Sequence, residues 1–305
     1  MASKLVKLGA AAALAAVTGA GIFFAVTAPD RQAPSHWANA GTPDLVNGEN
    51  LFWAGGCASC HAAPDATGDA LLQLSGGAPL HSPFGTFYAP NISPDPKAGI
   101  GEWTLAEFGD AMTRGTGRNG EHLYPSFPYA SYARMPAKDI SDLFAYIKTL
   151  PASDHVAPNH DLPFPFNIRL ALGGWKFLYF DEGAPRVQLA NADAALVRGQ
   201  YLVEGPGHCG ECHTPRNLLG GFLKDKWLAG GPNPEGEGSI PNITPGSSDM
   251  ENWADADIAS YLETGFTPEF DSVGGSMVKV QQNMARLPAE DRDAIAAYLK
   301  AIPAR

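Results

Sequence analysis

Charge is scarce in this chain of 305 residues, of which only 17% are Asp, Glu, Lys or Arg while 45% are hydrophobic. That balance excludes a disordered polymer and a coiled coil, both of which need dense charge. Positive charge is the scarcer sign, with 21 basic residues against 32 acidic ones and a net charge of −11. Nucleic acid is therefore excluded as a partner, and the chain as a whole is poorly matched to an anionic lipid surface. Cysteine is almost missing too. Four cysteines are too few for a disulfide scaffold of this length, so their use must be read from their spacing. Strand-like alternation of apolar and polar residues is not sustained anywhere. What is plentiful is Gly (34) and Pro (26), which implies long loops between short elements. The length suits about two domains, each able to bury its own core.

The amino terminus carries Lys4 and Lys7 and then no charge from Leu8 to Ala28. A positive flank followed by an apolar run is an export pattern. Val26-Thr27-Ala28 offers the small residues of a cleavage site. The uncharged run is nevertheless close to the ~20 residues of a membrane-spanning helix and longer than an ordinary cleaved core. Residues 1–29 are expected to be an anchor or signal segment that places the rest outside the cytoplasm. The expected location is the periplasmic side of a bacterial inner membrane, anchored through residues 8–28, and residues 30–43 form a linker.

The rest is a duplication. Cys57-Ala58-Ser59-Cys60-His61 and Cys209-Gly210-Glu211-Cys212-His213 lie 152 residues apart. Ala89-Pro90-Asn91-Ile92 matches Ile240-Pro241-Asn242-Ile243, and Arg134-Met135-Pro136 matches Arg286-Leu287-Pro288. So long a period indicates a duplicated domain, not a solenoid. The expected units are residues 44–152 and 191–305, joined by a Pro- and aromatic-rich segment, 153–190. Each unit opens with a short helix, near Asp44 to Trp53 or Ala192 to Val203. A further helix begins near Thr104 or Ala254. Each unit closes with a helix marked by Ile140, Leu143, Phe144 and Ile147, or by Ile295, Tyr298, Leu299 and Ile302. The fold class is all-α. The joining segment is too apolar for a flexible linker. Packing between the units is the expected role, with a partner or the membrane as alternatives.

Cys-x-x-Cys-His is the attachment pattern of c-type haem. Two cysteines three positions apart lie within one helical turn, can bond both vinyl groups of one porphyrin, and leave the next histidine to present its imidazole to the iron. A zinc site would pool both clusters, a thioredoxin-like pair needs a βαβ setting, and a tight disulfide leaves His61 and His213 unexplained. Two covalent haem c groups are expected, on Cys57, Cys60 and His61 and on Cys209, Cys212 and His213. Each histidine Nδ1–H needs an acceptor, expected to be a loop carbonyl. Asn91 and Asn242 are expected to fix the turns at Pro90 and Pro241. On the far side of the iron a methionine sulfur is usual. Met277, in an apparent loop after Gly274-Gly275, is the candidate in the second unit, with Met284 as alternative. In the first unit the position 150 residues before Met277 is Phe127, which cannot bind iron, and Met135 is the candidate. His122, His81 or an open position remain alternatives there, and Met112 reads as core.

With these motifs in view, the chain resembles a dihaem c-type cytochrome built from two class I cytochrome c domains. Leu123-Tyr124-Pro125-Ser126-Phe127-Pro128-Tyr129 is similar to the cytochrome subunits of bacterial membrane-bound alcohol and aldehyde dehydrogenases, although those often carry three motifs. The resemblance implies an electron carrier in a periplasmic respiratory chain, from a dehydrogenase or reductase to a soluble cytochrome or terminal oxidase. Its implied partners are redox proteins and, through the N-terminal helix, the membrane. A dihaem enzyme such as a peroxidase, with one open-site haem, is the alternative.

Overall fold

In a computed structural model the described residues are 2–233, 236 and 238–305. The chain is mostly helical, as expected. Its leading helix, Ala2–Val26, contains an apolar stretch, Lys4–Val26, of 23 residues with mean hydropathy 1.9, none of it buried. That stretch is long and apolar enough to cross a membrane. Where it ends, Thr27 is buried and its carbonyl accepts a hydrogen bond from His122 Nε2 at 3.0 Å.

The two repeats run through the same succession of elements. Asp44 accepts bonds from the backbone of Val46 and Asn47 and so starts the helix Leu45–Ala54; Asp193 caps Ala194–Glu204 through Leu196 N. Thr104 and Glu107 form a capping box on Leu105–Arg114. In the second repeat Asp257 accepts from Ala254 N and opens Asp255–Thr264. The closing helices are Ala137–Ile147 and Ala289–Ala301. Opening and closing helices cross at glycine. A Cβ on Gly48 would lie 2.3 Å from Asp142 O, and one on Gly199 would lie 1.9 Å from Ala294 O. Both side chains must therefore be absent for the apolar faces to meet. Leu51, Phe52, Ile140, Leu143 and Ile147 join Leu202, Val203, Ile295, Tyr298 and Leu299 in one continuous core.

Two features differ from the sequence reading. Two short antiparallel hairpins follow the cysteine motifs, Pro79–Ser82 with Gly85–Tyr88 and Gly231–Pro232 with Ser239–Ile240. Strands of two to four residues are too short to leave an alternating pattern. Met277 is not in a loop: it is the first residue of the helix Met277–Met284, because the Gly274-Gly275 break ends one residue earlier than its composition suggests. The joining segment packs against both units, the role expected of it, and on one side only. Its helix Ala171–Tyr179 sets Gly173 against Thr27, Trp175 edge-on to Tyr129 and Tyr179 against Gly221, while Phe177 and Leu178 are 66% and 63% exposed.

Candidate functional site

Each cysteine motif forms a short helix, Cys57–His61 or Gly210–His213, directly after the opening helix of its repeat. The chain reverses between them through Gly56 at φ 57° in the first repeat and His208 at φ 37° in the second. Both are left-handed conformations. All four cysteines are free of disulfides and partly buried. Burial, then the adjacent second thiol, pushes the Cys57 and Cys209 thiols up to about 12. Such thiols stay protonated, unlike those of a reactive redox pair. Among the described residues no three His, Cys, Asp or Glu side chains converge on one point.

The two histidines are held alike. His61 Nδ1 donates to Pro90 O and His213 Nδ1 donates to Pro241 O, each at 2.8 Å. A carbonyl can only accept, so the proton sits on Nδ1 and Nε2 keeps its lone pair. Burial lowers both imidazoles below the ordinary histidine value, against a smaller opposing effect of the carbonyl bond, which keeps them neutral. The prolyl turns are themselves pinned. Asn91 donates to Ser153 O and His155 O and accepts from Ser93 N, while Asn242 donates to Arg305 O and accepts from Thr244 N. Gly76 N bonds His61 O and Gly230 N bonds His213 O, both at 2.7 Å. At each glycine, with φ near +70°, a Cβ would strike the prolyl turn at 2.5–2.6 Å. Two spaced thiols beside a neutral imidazole with a free Nε2 form the donor set that covalent haem requires, and they fit it.

The motifs also meet each other across a pseudo-two-fold axis. Asn283 Nδ2 of the second repeat donates to Ser59 Oγ inside the first motif at 2.7 Å. Ser131 Oγ of the first repeat donates to Glu211 Oε1 inside the second motif at 3.0 Å. Ser59 and Glu211 are equivalent positions, 152 residues apart, and so are Ser131 and Asn283. His208 Nε2 bonds Gly55 O at 3.2 Å, and Arg286 lies 4.1 Å from the Trp53 ring. Tyr132 stands edge-on to His208 at 5.7 Å. Burial, then the neighbouring Cys57, Cys60 and Glu211, raises its hydroxyl far above the ordinary tyrosine value.

Comparison with known proteins gives the family. The cytochrome c family model matches residues 45–151. A diheme cytochrome c-type protein of Cereibacter sphaeroides is 54% identical over 300 residues, 98% of either chain. The chain belongs to the dihaem cytochromes c. It binds two covalent haem c groups and is related to electron-transfer subunits of dehydrogenases. The fructose dehydrogenase cytochrome subunit of Gluconobacter japonicus is 38% identical over 270 residues, and an alcohol dehydrogenase (quinone) cytochrome c subunit of Gluconobacter oxydans is 33% identical over 291. The cytochrome aligns with 54% and 57% of the lengths of these two subunits.

Of the candidate sulfur ligands, Met135 is buried at 5% exposure, immediately before the proline that starts the closing helix; its equivalent Leu287 is buried as well. Met277 is half-buried against the core and Met284, at the other end of the same helix, is buried. Met112 is buried with Phe108. The alternative histidines are engaged elsewhere. His81 lies on the first hairpin facing Thr86 Oγ1 at 3.2 Å, and His122 is buried against Thr27. Gly48, Gly199, Asn283 and Ser131 escaped the sequence reading. The repeat alignment places Gly48 against Gly199 and Ser131 against Asn283, which marks the positions but not what they touch.

Proposed function

We propose that Cys57 and Cys60 hold one haem by thioethers with His61 on its iron, and that Cys209, Cys212 and His213 hold the other. Met135 and Met277 are the proposed sulfur ligands opposite the histidines, and the repeats 44–152 and 191–305 the two domains. The protein relays electrons in the periplasm of a bacterial respiratory chain, from a dehydrogenase to a soluble cytochrome or terminal oxidase, with the Lys4–Val26 helix retained as its anchor. When bound, each haem supplies an iron that takes up and gives back one electron. The chain keeps its imidazoles neutral and oriented through Pro90 and Pro241, and it shields the cysteine sulfurs from water. The observation that carries the reading is the pseudo-two-fold contact of the two motifs, through Ser59–Asn283 and Glu211–Ser131. A carrier with two centres needs them close and rigidly related. The dehydrogenase as donor rests on the relatives.

The test is redox titration and ligand binding on protein purified from its native membrane with its bound partners. Two low-spin haems per chain, each showing the weak red band of methionine-bound ferric iron and both reduced on adding the partner dehydrogenase's substrate, are expected. Met135→Ala and Met277→Ala should each abolish one half of that band. A high-spin haem that binds carbon monoxide or cyanide in the native chain would overturn the carrier reading in favour of the peroxidase-type alternative.

A further inference from the structure

The exposed face of the joining segment is built for something other than water. Ile168, Leu170, Phe177 and Leu178 are 43%, 44%, 66% and 63% exposed, and Leu218 and Leu219, in the loop that follows the second motif, are 96% and 60% exposed. These two stretches form one surface. Trp175 Nε1 donates to Leu219 O at 2.9 Å, and Phe84 bridges them, with its ring close to Gly220 and 5.1 Å from Phe166.

The same surface is joined rigidly to the leading helix. Phe23 abuts Gly174 and Thr27 abuts Gly173, where a Cβ would lie only 2.4 Å from Thr27 O. The chain after Thr27 is fastened as well: Arg31 bonds Gly117 O, and Asp110 accepts from Gln32 N and Trp37 Nε1. There is no slack tether. The point where the apolar helix ends is held against the apolar patch.

The neighbouring helix selects the occupant. The apolar stretch Lys4–Val26, long enough to cross a membrane, ends against this patch at Gly173 and Gly174, so the surface beside its exit faces a lipid headgroup layer. The other prominent exposed aromatics, Phe266 and Phe270, sit among Glu263, Glu269 and Asp271. Exposed Leu and Phe, with Trp175 and Tyr179 at the margin, are the composition of a segment lying in a lipid headgroup layer.

We infer that the surface formed by Ile168, Leu170, Phe177, Leu178, Leu218 and Leu219 rests in the headgroup region of a bilayer, next to the exit of the anchor helix. It fixes how the two haem-bearing repeats face the membrane plane. The inference rests on the reading of Lys4–Val26 as a retained anchor, and its test separates the two.

Full-length, haem-loaded protein is reconstituted into nanodiscs of mixed neutral and anionic phospholipid. Single cysteines introduced by Leu178→Cys, Leu218→Cys, Phe270→Cys and Leu14→Cys carry a spin label, and the haems are kept reduced and diamagnetic. All four positions are exposed, so the substitutions leave the fold intact. Collision with oxygen, which partitions into lipid, is compared with collision with a water-soluble nickel chelate. The oxygen-to-nickel ratio is expected to be several-fold higher at positions 178 and 218 than at 270, and highest at 14. If 178 and 218 behave as 270 does while 14 is in lipid, the inference is overturned with the anchor intact, and the surface is left to a protein partner. If 14 is in water, the anchor reading has failed. Lipid contact at 178 and 218 would then still uphold the patch, and its loss there would overturn both.

Discussion

Gly199 has no room for even one methyl group, since the carbonyl of Ala294 occupies the space. Gly199→Ala forces the opening and closing helices of the second repeat apart, and overpacking of this kind costs about 1–3 kcal/mol or more. Gly274→Ala, with nothing within 4 Å of the added carbon, is the control. Denaturant midpoints followed by helical circular dichroism should drop for the first and stay put for the second. Asn91 acts on the site rather than on the core. It satisfies two carbonyls and one N–H around the turn whose Pro90 oxygen orients His61. Asn91→Ala strands buried partners at about 1–3 kcal/mol. It should change the spectrum and midpoint potential of one haem and leave the other as it was, with Asn242→Ala giving the reciprocal result.

Among the elements, the end of the leading helix meets the first repeat at a titratable residue, His122, which donates to Thr27 O. Burial, then the cation of Lys176, holds the His122 imidazole below its ordinary value, with the Thr27 carbonyl opposing. Arg169 also faces this site, donating to His122 O. The folded protein refuses a proton that the unfolded chain accepts. The stability contributed by neutral His122 is therefore full above the free-histidine value of about 6.5 and is lost as the pH falls through the lower folded value. His122→Phe should flatten that part of the stability-versus-pH curve, measured by urea unfolding at about pH 7.5 and about pH 5.5, either side of the free value. An unchanged acid slope would show that another group governs it. The helix starts near Asp44 and Thr104 were legible in the chain because a cap is local. The hairpins were not, since their pairing spans Gly- and Pro-rich loops with no periodicity to read.

On the scale of the whole molecule, the two repeats behave as partners in an internal dimer. Their equivalent cross-contacts, Ser59–Asn283 and Glu211–Ser131, tie each motif to the opposite repeat. Asn283→Ala and Ser131→Ala should each destabilise modestly, by about 0.5–1.5 kcal/mol per neutral bond and more where the Glu211 carboxylate loses its donor. Their common readout is a slower electron exchange between the haems at nearly unchanged individual potentials, seen in flash-induced single-electron reduction. Equal rates in wild type and double variant would show that the contacts only stabilise. Arg134 adds a second tie: it is 5% exposed at its side chain, bonds Asp181 at 2.8 Å and lies 3.7 Å from Glu204 of the second repeat. Arg134→Ala leaves the buried Glu204 short of a cation while Asp181 keeps Arg186 and Lys224, and breaking a buried pair typically costs about 3–5 kcal/mol. Thermal unfolding should register it as one of the most damaging single changes in the chain.

The amino-acid sequence determined the chemistry by itself. Thioether attachment needs fixed covalent spacing, so Cys57-x-x-Cys60-His61 and its copy at Cys209 are readable without coordinates, and so are the duplication and the helical periodicity of the closing helices. Only the tertiary structure decided which carbonyls orient His61 and His213, that Met277 begins a helix, and that one face of the joining segment stays bare. It also decided that Ser59 meets Asn283, 224 residues away. Those outcomes depend on which surfaces come to lie together, and a linear pattern records what each residue is but not what packing sets opposite it.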